Sequence, residues 1–175
     1  MDILIAGGAG FIGSHLSKYL LKEGDSITIV DDLSSGRLSN IEKIRDGVKF
    51  TRSDISNFNT KGNFDVIVNL ASRASWVEWE TYPVEVALSN STGNNNPIKL
   101  ALHCDANYIF VSTSEVYGNP EVVPTPETYA GRVNSTGSRS LYDEGKRSGE
   151  ALVKAYEKQF NLKSTIIRFF NTYGP

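Results

Sequence analysis

A chain of 175 residues, 39% hydrophobic and 22% charged, has the length and balance of one ordinary globular core. Its formal net charge of -2, without a Lys/Arg cluster, excludes nucleic acid as the main partner, and its single cysteine, Cys104, excludes an internal disulfide and a cysteine-built zinc site. No run is apolar enough to span a bilayer, no charged-then-apolar leader precedes the first residues and the acids form no metal-like cluster, so a cytoplasmic chain, off the membrane and without a metal, is expected.

Asp2–Ala6 is short, apolar and followed by glycines, the pattern of a strand buried on both faces. Apolar spacing predicts a helix from Phe11 to Glu23, with Gly24 as its stop. Ile27–Val30 reads as a second strand ending at Asp31 and Asp32, followed by a polar loop to Asn40. Val48–Thr51, Val66–Leu70 and Tyr108–Ser112 are the next strands. A helix from Pro83 to His103 is expected between the last two, although its polar middle, SNSTGNNN, argues against continuity and Pro97 can interrupt it. Gly118–Ser140, rich in Pro, Gly, Ser and Thr, reads as a long loop of the kind that often carries function. A long helix from Tyr142 to Gln159 and a strand from Ser164 to Arg168 complete the chain. Strands alternating with helices imply a parallel sheet covered on both faces.

The segment GGAGFIG joins the first strand to the first helix and contains Gly8-x-Gly10-x-x-Gly13 as well as Gly7-x-x-Gly10-x-x-Gly13. Glycines at such spacing allow a tight turn, backbone approach to a pyrophosphate and close helix–strand packing, and the helix start offers free N–H groups to the anion. A glycine pattern alone also fits a plain tight turn, but the strand–turn–helix context and Asp31 at the end of the second strand favour a dinucleotide. A carboxylate there accepts bonds from ribose hydroxyls and repels a 2′-phosphate, which points to NAD over NADP, with Arg37 nearby to soften the preference. Asp54, after the third strand, suits either an adenine contact or an Asx turn.

Tyr142 and Lys146 are four apart, on one helix face. A phenol with its ordinary value near 10 is a poor base at neutral pH, and a neighbouring ammonium favours the phenolate. Such a pair is common on helix surfaces. The segment Val111–Gly118 gives it context, because it ends the strand before the loop, where open α/β sheets hold ligands. There Thr113 can bond a substrate hydroxyl and Glu115 can act as an acid or orient the substrate, or both can simply cap the strand end.

Six stretches, GGAGFIGSH, DDLSSG, Asn69–Ser72, STSEVYG, YDEGKR and RFFNTYGP, run nearly end to end. Together they resemble the NAD-dependent epimerase/dehydratase family of extended short-chain dehydrogenases/reductases. Gly137–Arg147 and Leu70–Ser75 are most similar to the branch that decarboxylates UDP-glucuronate to UDP-xylose. The resemblance implies a Rossmann-type α/β fold, a doubly wound parallel sheet, with NAD as cofactor and a UDP-sugar as substrate. It places Gly7, Gly10, Phe11, Ile12, Gly13, Asp31, Ser34, Gly36, Asp54, Ile55, Leu70, Ala71, Tyr142, Lys146 and Thr172 at NAD. It assigns Tyr142, Lys146, Thr113 and Glu115 to catalysis, and sets Thr113, Ser114, Glu115, Tyr156, Gln159 and Asn171 on the substrate side. Dehydratases of the family carry an Asp–Glu pair where this chain has Ser114–Glu115, and epimerases lack the glutamate, so the decarboxylase pattern fits better than a UDP-glucose 4-epimerase or a dTDP-glucose 4,6-dehydratase. A non-catalytic NAD-binding module and a reductase that releases reduced cofactor are the readings of other classes. The resemblance also implies a homodimer through the Tyr–Lys helix and a neighbouring helix.

Family members continue past Pro175, so residues 1–175 are expected to be the NAD-binding domain, with the C-terminal substrate domain largely missing and activity in doubt. Arg73, Ser135 and Ser138 replace prolines of the decarboxylase pattern, which implies looser loops. Trp76 and Trp79 are expected to be partly buried, and His15 and His103 to serve packing or the surface.

Overall fold

The computed structural model describes residues 1–174; Pro175, the last residue of the NTYGP stretch, lies outside them. Six strands, β1 (Asp2–Ala6), β2 (Ser26–Asp31), β3 (Val48–Arg52), β4 (Val66–Asn69), β5 (Asn107–Thr113) and β6 (Ser164–Phe169), form one sheet. All its pairings are parallel, in the order β3-β2-β1-β4-β5-β6. This is the doubly wound Rossmann-type order, and its reversal between β1 and β4 opens a crevice at the strands' carboxyl ends. The outer flanks of β3 and β6 have no strand partner among the described residues.

Alternation along the strands divides the core. Ile3, Ile5, Ile27 and Ile29 face one side, where Leu16 and Leu20 of α1 (Phe11–Lys22) and Ile41 of α2 (Leu38–Ile41) cover them. Leu4, Ala6, Val30 and Ile67 face the other, against Ile98 and Ala101 of α5 (Asn95–Cys104) and Val153 of α6 (Ser140–Phe160). Each fully buried Leu or Ile contributes roughly 1.5–3 kcal/mol. The approach of α6 to β5 and α4 (Pro83–Asn90) is close because Gly149 faces them: a Cβ there would stand 2.6 Å from the Phe110 ring and 2.9 Å from Asn90 O.

The helix expected from Pro83 to His103 is two helices. It breaks at Ser91 (φ -108°, ψ -93°), not at Pro97, and a single 3-10 turn, Thr92–Asn94, leads into α5. Asparagine amides replace the lost main-chain bonds: Asn94 Nδ2 donates to Asn90 O (2.8 Å) and Ser91 O (3.0 Å), and Asn90 Nδ2 donates to Val86 O (2.8 Å). Pro97 lies in the first turn of α5, where its missing N–H has no helical partner to lose. A further helix, α3 (Trp76–Thr81), was not expected. Ser75 and Glu78 cap it reciprocally, Glu78 N donating to Ser75 Oγ (3.3 Å) and Ser75 Oγ donating to Glu78 Oε2 (2.9 Å). The long loop begins at Gly118 as expected and runs to the start of α6.

Candidate active site

The crevice at the sheet's reversal is a cavity of about 450 Å³, within the range of cofactor pockets. Gly7, Gly10, Asp31, Ser34, Gly36, Asp54, Ile55, Leu70 and Ala71 line it, so nine of the residues expected at the cofactor come together. Gly7 has φ +77°, and a Cβ on it would lie 2.8 Å from Ala71 N. A Cβ on Gly13 would lie 2.3 Å from Gly7 O, so only glycine lets α1 seat against the turn. Gly10 begins the helix with no side-chain cap and no acid follows in the first turn. The N–H groups of Phe11, Ile12 and Gly13 therefore remain available to an anion.

Asp31 Oδ2 accepts from Ala9 N and Oδ1 from Leu33 N, each at 2.9 Å, which aims the carboxylate into the cavity. Burial pushes this carboxyl above its ordinary value, against those two N–H bonds. A Cβ on Gly36 would lie 2.6 Å from Asp31 Oδ1, so a side chain there would fill the space beside it. Asp54 lines the cavity and also makes an Asx turn, accepting from Ser56 N at 2.8 Å. These features fit a dinucleotide: donors for a pyrophosphate, an acceptor for a ribose and a cradle kept open by glycine.

Tyr142 and Lys146 open α6 beside the end of β5, and both are buried. Lys146 Nζ donates to Val111 O at 2.8 Å and stands 5.2 Å from the Phe110 ring centre. Burial lowers the amine to about 7, with Glu150 pulling the other way. The expected acidification of the phenol does not appear. Burial pushes Tyr142 above its ordinary value and Glu115 and Asp143 add repulsion, while the Thr113 and Ser72 hydroxyls favour the ionised form. The reason is geometric: the Lys146 amine is held against a carbonyl of β5, 6.0 Å from the centre of the tyrosine ring.

Thr113 Oγ1 caps the 3-10 turn Ser114–Tyr117 by accepting from Glu115 N (3.3 Å), so the capping role and the contact with Tyr142 coexist. Ser114 sits beside them, partly buried. Glu115 is held in an ion pair by Arg139. Asn171 and Thr172 follow β6, both exposed, and a Cβ on Gly174 would lie 3.4 Å from Phe11, so this segment crosses toward the start of α1. Tyr156 and Gln159 are not brought to the site. They lie 14 and 17 residues after Tyr142 on α6, which is about 21–26 Å along its axis. Tyr156 Oη donates there to Asn95 Oδ1 at 2.5 Å, and Gln159 is exposed.

Several site residues carry no motif. Trp79 of α3 stacks on Tyr142 with ring centres 4.8 Å apart, and the Arg139 guanidinium lies 5.5 Å above the Trp79 ring. Trp76, by contrast, is 57% exposed, so the expected partial burial holds well for Trp79 alone. Asp143 is buried next to Tyr142, and burial pushes it up to about 6 while Arg139 pulls down. Ser72 donates to Asn90 Oδ1 at 2.6 Å and faces the phenol. The Ser75-x-x-Glu78 capping pattern was the available signal for α3, and hence for Trp79. Arg73, in a proline position of the pattern, binds Glu78 Oε1 at 3.1 Å, so an ion pair ties that loop to α3.

Among the described residues no helix is long and apolar enough to cross a membrane, and no group of three or more His, Cys, Asp or Glu is placed to hold a metal. A family model described as "NAD dependent epimerase/dehydratase family" matches residues 3–175. The chain is 41% identical over 177 aligned residues to UDP-glucuronic acid decarboxylase 1 of Xenopus tropicalis, covering 99% of this chain and 41% of that protein. It is also 41% identical to UDP-glucuronic acid decarboxylase 5 of Arabidopsis thaliana, covering 100% and 52%. The chain thus spans about half or less of these relatives' length. Among solved structures, UDP-glucose 4-epimerase of Thermotoga maritima with UDP-glucose superposes with a TM-score of 0.89 at 31% identity, over 100% of this chain and 57% of that one. DesIV of Streptomyces venezuelae, a dTDP-glucose 4,6-dehydratase with NAD bound, gives 0.90 at 26% identity, over 100% and 57%.

Proposed function

Because the chain belongs to the NAD-dependent epimerase/dehydratase family, we propose that residues 1–175 are its NAD-binding domain and that the protein decarboxylates UDP-glucuronate to UDP-xylose. The observation that carries this reading is the convergence at the end of β5. The Tyr142 phenol lies against the Thr113 and Ser72 hydroxyls, the buried Lys146 amine follows one turn along, and Glu115 stands within electrostatic reach. The choice among the family's reactions rests on the decarboxylase relatives.

Gly7, Gly10, Asp31 and the first turn of α1 would hold NAD, which supplies a hydride acceptor that later returns the hydride. Tyr142 takes the proton of the sugar 4-hydroxyl, Thr113 orients that hydroxyl, and Lys146 holds positive charge beside the phenol as it loses its proton. Oxidation at carbon 4 makes the 5-carboxylate a β-keto acid, whose carbon–carbon bond breaks to release carbon dioxide and leave an enolate. The enolate carbon then takes a proton supplied by solvent, with Glu115, once parted from Arg139, as the group that relays it. Tyr142 then gives its proton back to the 4-oxygen as the ketone is reduced.

One observation favours a second reading. Asp143 gives the phenol a second neighbouring carboxyl, pushed up by burial to about 6, so the site carries two acid–base groups as a dehydratase requires even though residue 114 is serine. Incubation with NAD and UDP-glucuronate, UDP-glucose or dTDP-glucose separates the readings. Carbon dioxide from the first supports decarboxylation; a 4-keto-6-deoxy product from the third, without carbon dioxide from the first, sinks it. We further propose a homodimer through α6 and α4, where Val84 and Leu88 are exposed. Sedimentation that finds only monomer removes that proposal.

A further inference from the structure

Glu150 lies one helical turn beyond Lys146 on α6, so the two side chains share a face. Its carboxylate is unusually well held. Oε1 accepts from Ser112 Oγ at 2.6 Å and Arg168 Nε at 2.9 Å, and Oε2 accepts from Arg168 Nη2 at 2.7 Å. Two-pronged pairing of this kind fixes orientation as well as charge. Ser112 and Arg168 are themselves direct neighbours across the β5–β6 ladder, so the sheet register sets where the carboxylate can sit. Arg168 is anchored further, its Nη1 donating to Tyr117 Oη (3.0 Å) and Glu127 O (3.1 Å). Ser112 follows Val111, whose carbonyl receives the Lys146 amine.

The surroundings of that amine are otherwise poor in charge. On its own helix stand Tyr142 and Glu150. From β5 come the Val111 carbonyl and the Phe110 ring, and from β6 the guanidinium of Arg168, behind Glu150. Arg147 turns away to Val116 O and Ala130 O, both at 2.9 Å, and Glu115 and Asp143 lie on the far side of the phenol, paired with Arg139. Burial works to raise the Glu150 carboxyl, and the bonds from Arg168 and Ser112 overcome it, leaving it below its ordinary value and ionised at neutral pH.

We propose that Glu150 is a positioning residue for the Tyr142–Lys146 pair: its carboxylate, fixed by Ser112 and Arg168 one helical turn from Lys146, is the counter-charge that favours the protonated amine. The inference deepens the proposed function, because a protonated amine beside Tyr142 matters only if that phenol gives and takes protons. It also gives Arg168 a definite electrostatic sign. Arg168 opposes the charge on Lys146 by its own charge while holding the carboxylate that favours it.

The test is a titration of Lys146 by NMR in the 175-residue chain labelled with 13C at lysine Cε, the signal being assigned by its loss in Lys146→Met. The midpoint is expected near 7 in the parent chain. Glu150→Gln, which keeps the shape and most hydrogen bonds, is expected to lower it by about one pH unit, a tenfold drop in the protonated-to-neutral ratio. Glu150→Asp restores part of the shift. Arg168→Gln is expected to move the midpoint upward, because it removes a like charge. An unmoved or raised midpoint in Glu150→Gln overturns the proposal, whatever Arg168→Gln does. Should Glu150→Gln not fold, Glu150→Asp, which draws the carboxylate back from the amine, decides alone: a midpoint below the parent's supports the assignment, and no shift or an upward one ends it. Opposite shifts in this chain, with no turnover of UDP-sugars by the longer protein that contains it, would remove the enzymatic reading and leave the charge coupling in place; turnover with an unmoved Lys146 midpoint would do the reverse.

Discussion

The two sides of Tyr142 differ in how completely their polar groups are satisfied. On the dinucleotide side, Asp31 has both oxygens bonded to main-chain N–H groups, the glycine turn closes on itself through Gly10 N to Gly7 O (3.1 Å), and the free donors face the opening. On the other side, Trp79 Nε1 and Asp143 Oδ1 are buried with no partner among the described residues, and Arg139 must serve Glu115, Asp143 and the Trp79 ring together. An unpartnered buried polar atom costs about 1–3 kcal/mol. The first side is therefore finished before any ligand arrives, and the second holds unmet hydrogen-bonding capacity around the Tyr142 phenol. Rigid pre-organisation suits a cofactor that stays; unmet capacity suits a substrate that comes and goes.

Substitutions on each side should respect that division. Tyr142→Phe is expected to reduce turnover about a thousandfold, since general acid–base groups contribute 10²–10⁴-fold. Its dissociation constant for NAD, read by calorimetry, should stay unchanged; a matching loss of NAD binding would show that the two sides are not separable. Gly13→Ala would press a methyl onto Gly7 O and Gly8 Cα, at an expected cost of about 3 kcal/mol in a urea melt together with loss of NAD binding. Near-parent stability would mean that the turn is softer than its contacts indicate. Asp31→Asn should weaken NAD by about 2 kcal/mol, the scale of a hydrogen bond to a charged group, and cost about 1 kcal/mol in the melt, because the amide nitrogen cannot accept from one of the two main-chain N–H groups.

Asp143→Asn probes the unfinished side with the opposite sign. The folded chain holds the Asp143 proton up to about 6, against an ordinary 3.8. Between those values the folded state binds more protons than the unfolded state, so stability falls as pH rises through that window. The full shift corresponds to about 3 kcal/mol, and with screening by the nearby solvent the amide should be more stable than the parent by about 1 kcal/mol at pH 7 and equal to it at pH 3. Destabilisation at pH 7 would mean that the Arg139 contact outweighs burial. The smallest effect is expected from Arg132→Ala, which breaks an exposed 2.5 Å pair with Glu121 in the long loop and should change the melt by about 0.5 kcal/mol or less.

The dinucleotide side was legible in the sequence because it is local. Strand, glycine turn, helix and Asp31 fall within the first 31 residues, and each glycine answers a steric demand that spacing reveals. The far side is assembled from distant segments. Trp79 meets Tyr142 across 63 positions and Arg139 meets Glu115 across 24, and no pattern in a local window encodes such meetings. The break at Ser91 was hidden for a related reason. SNSTGNNN looks like a surface stretch, yet Asn90 and Asn94 are each 1% exposed and replace main-chain hydrogen bonds inside the core. Tyr156 and Gln159 came from resemblance alone, and the length of α6 carries them to the opposite end of the sheet. The pairing of Tyr142 with Lys146 was legible, but its electrostatics were not, because burial raises the phenol and the amine is held on Val111 O, 6.0 Å from the ring centre.

The outer flank of β3, which has no strand partner among the described residues, has a consequence for handling the molecule. A border of unshared amide and carbonyl groups is adhesive toward any extended peptide, including the same border on another molecule. Concentrated solutions of this polypeptide should consequently clump by strand-to-strand zippering. Short β-forming peptides added in excess should occupy the border and keep the solution clear.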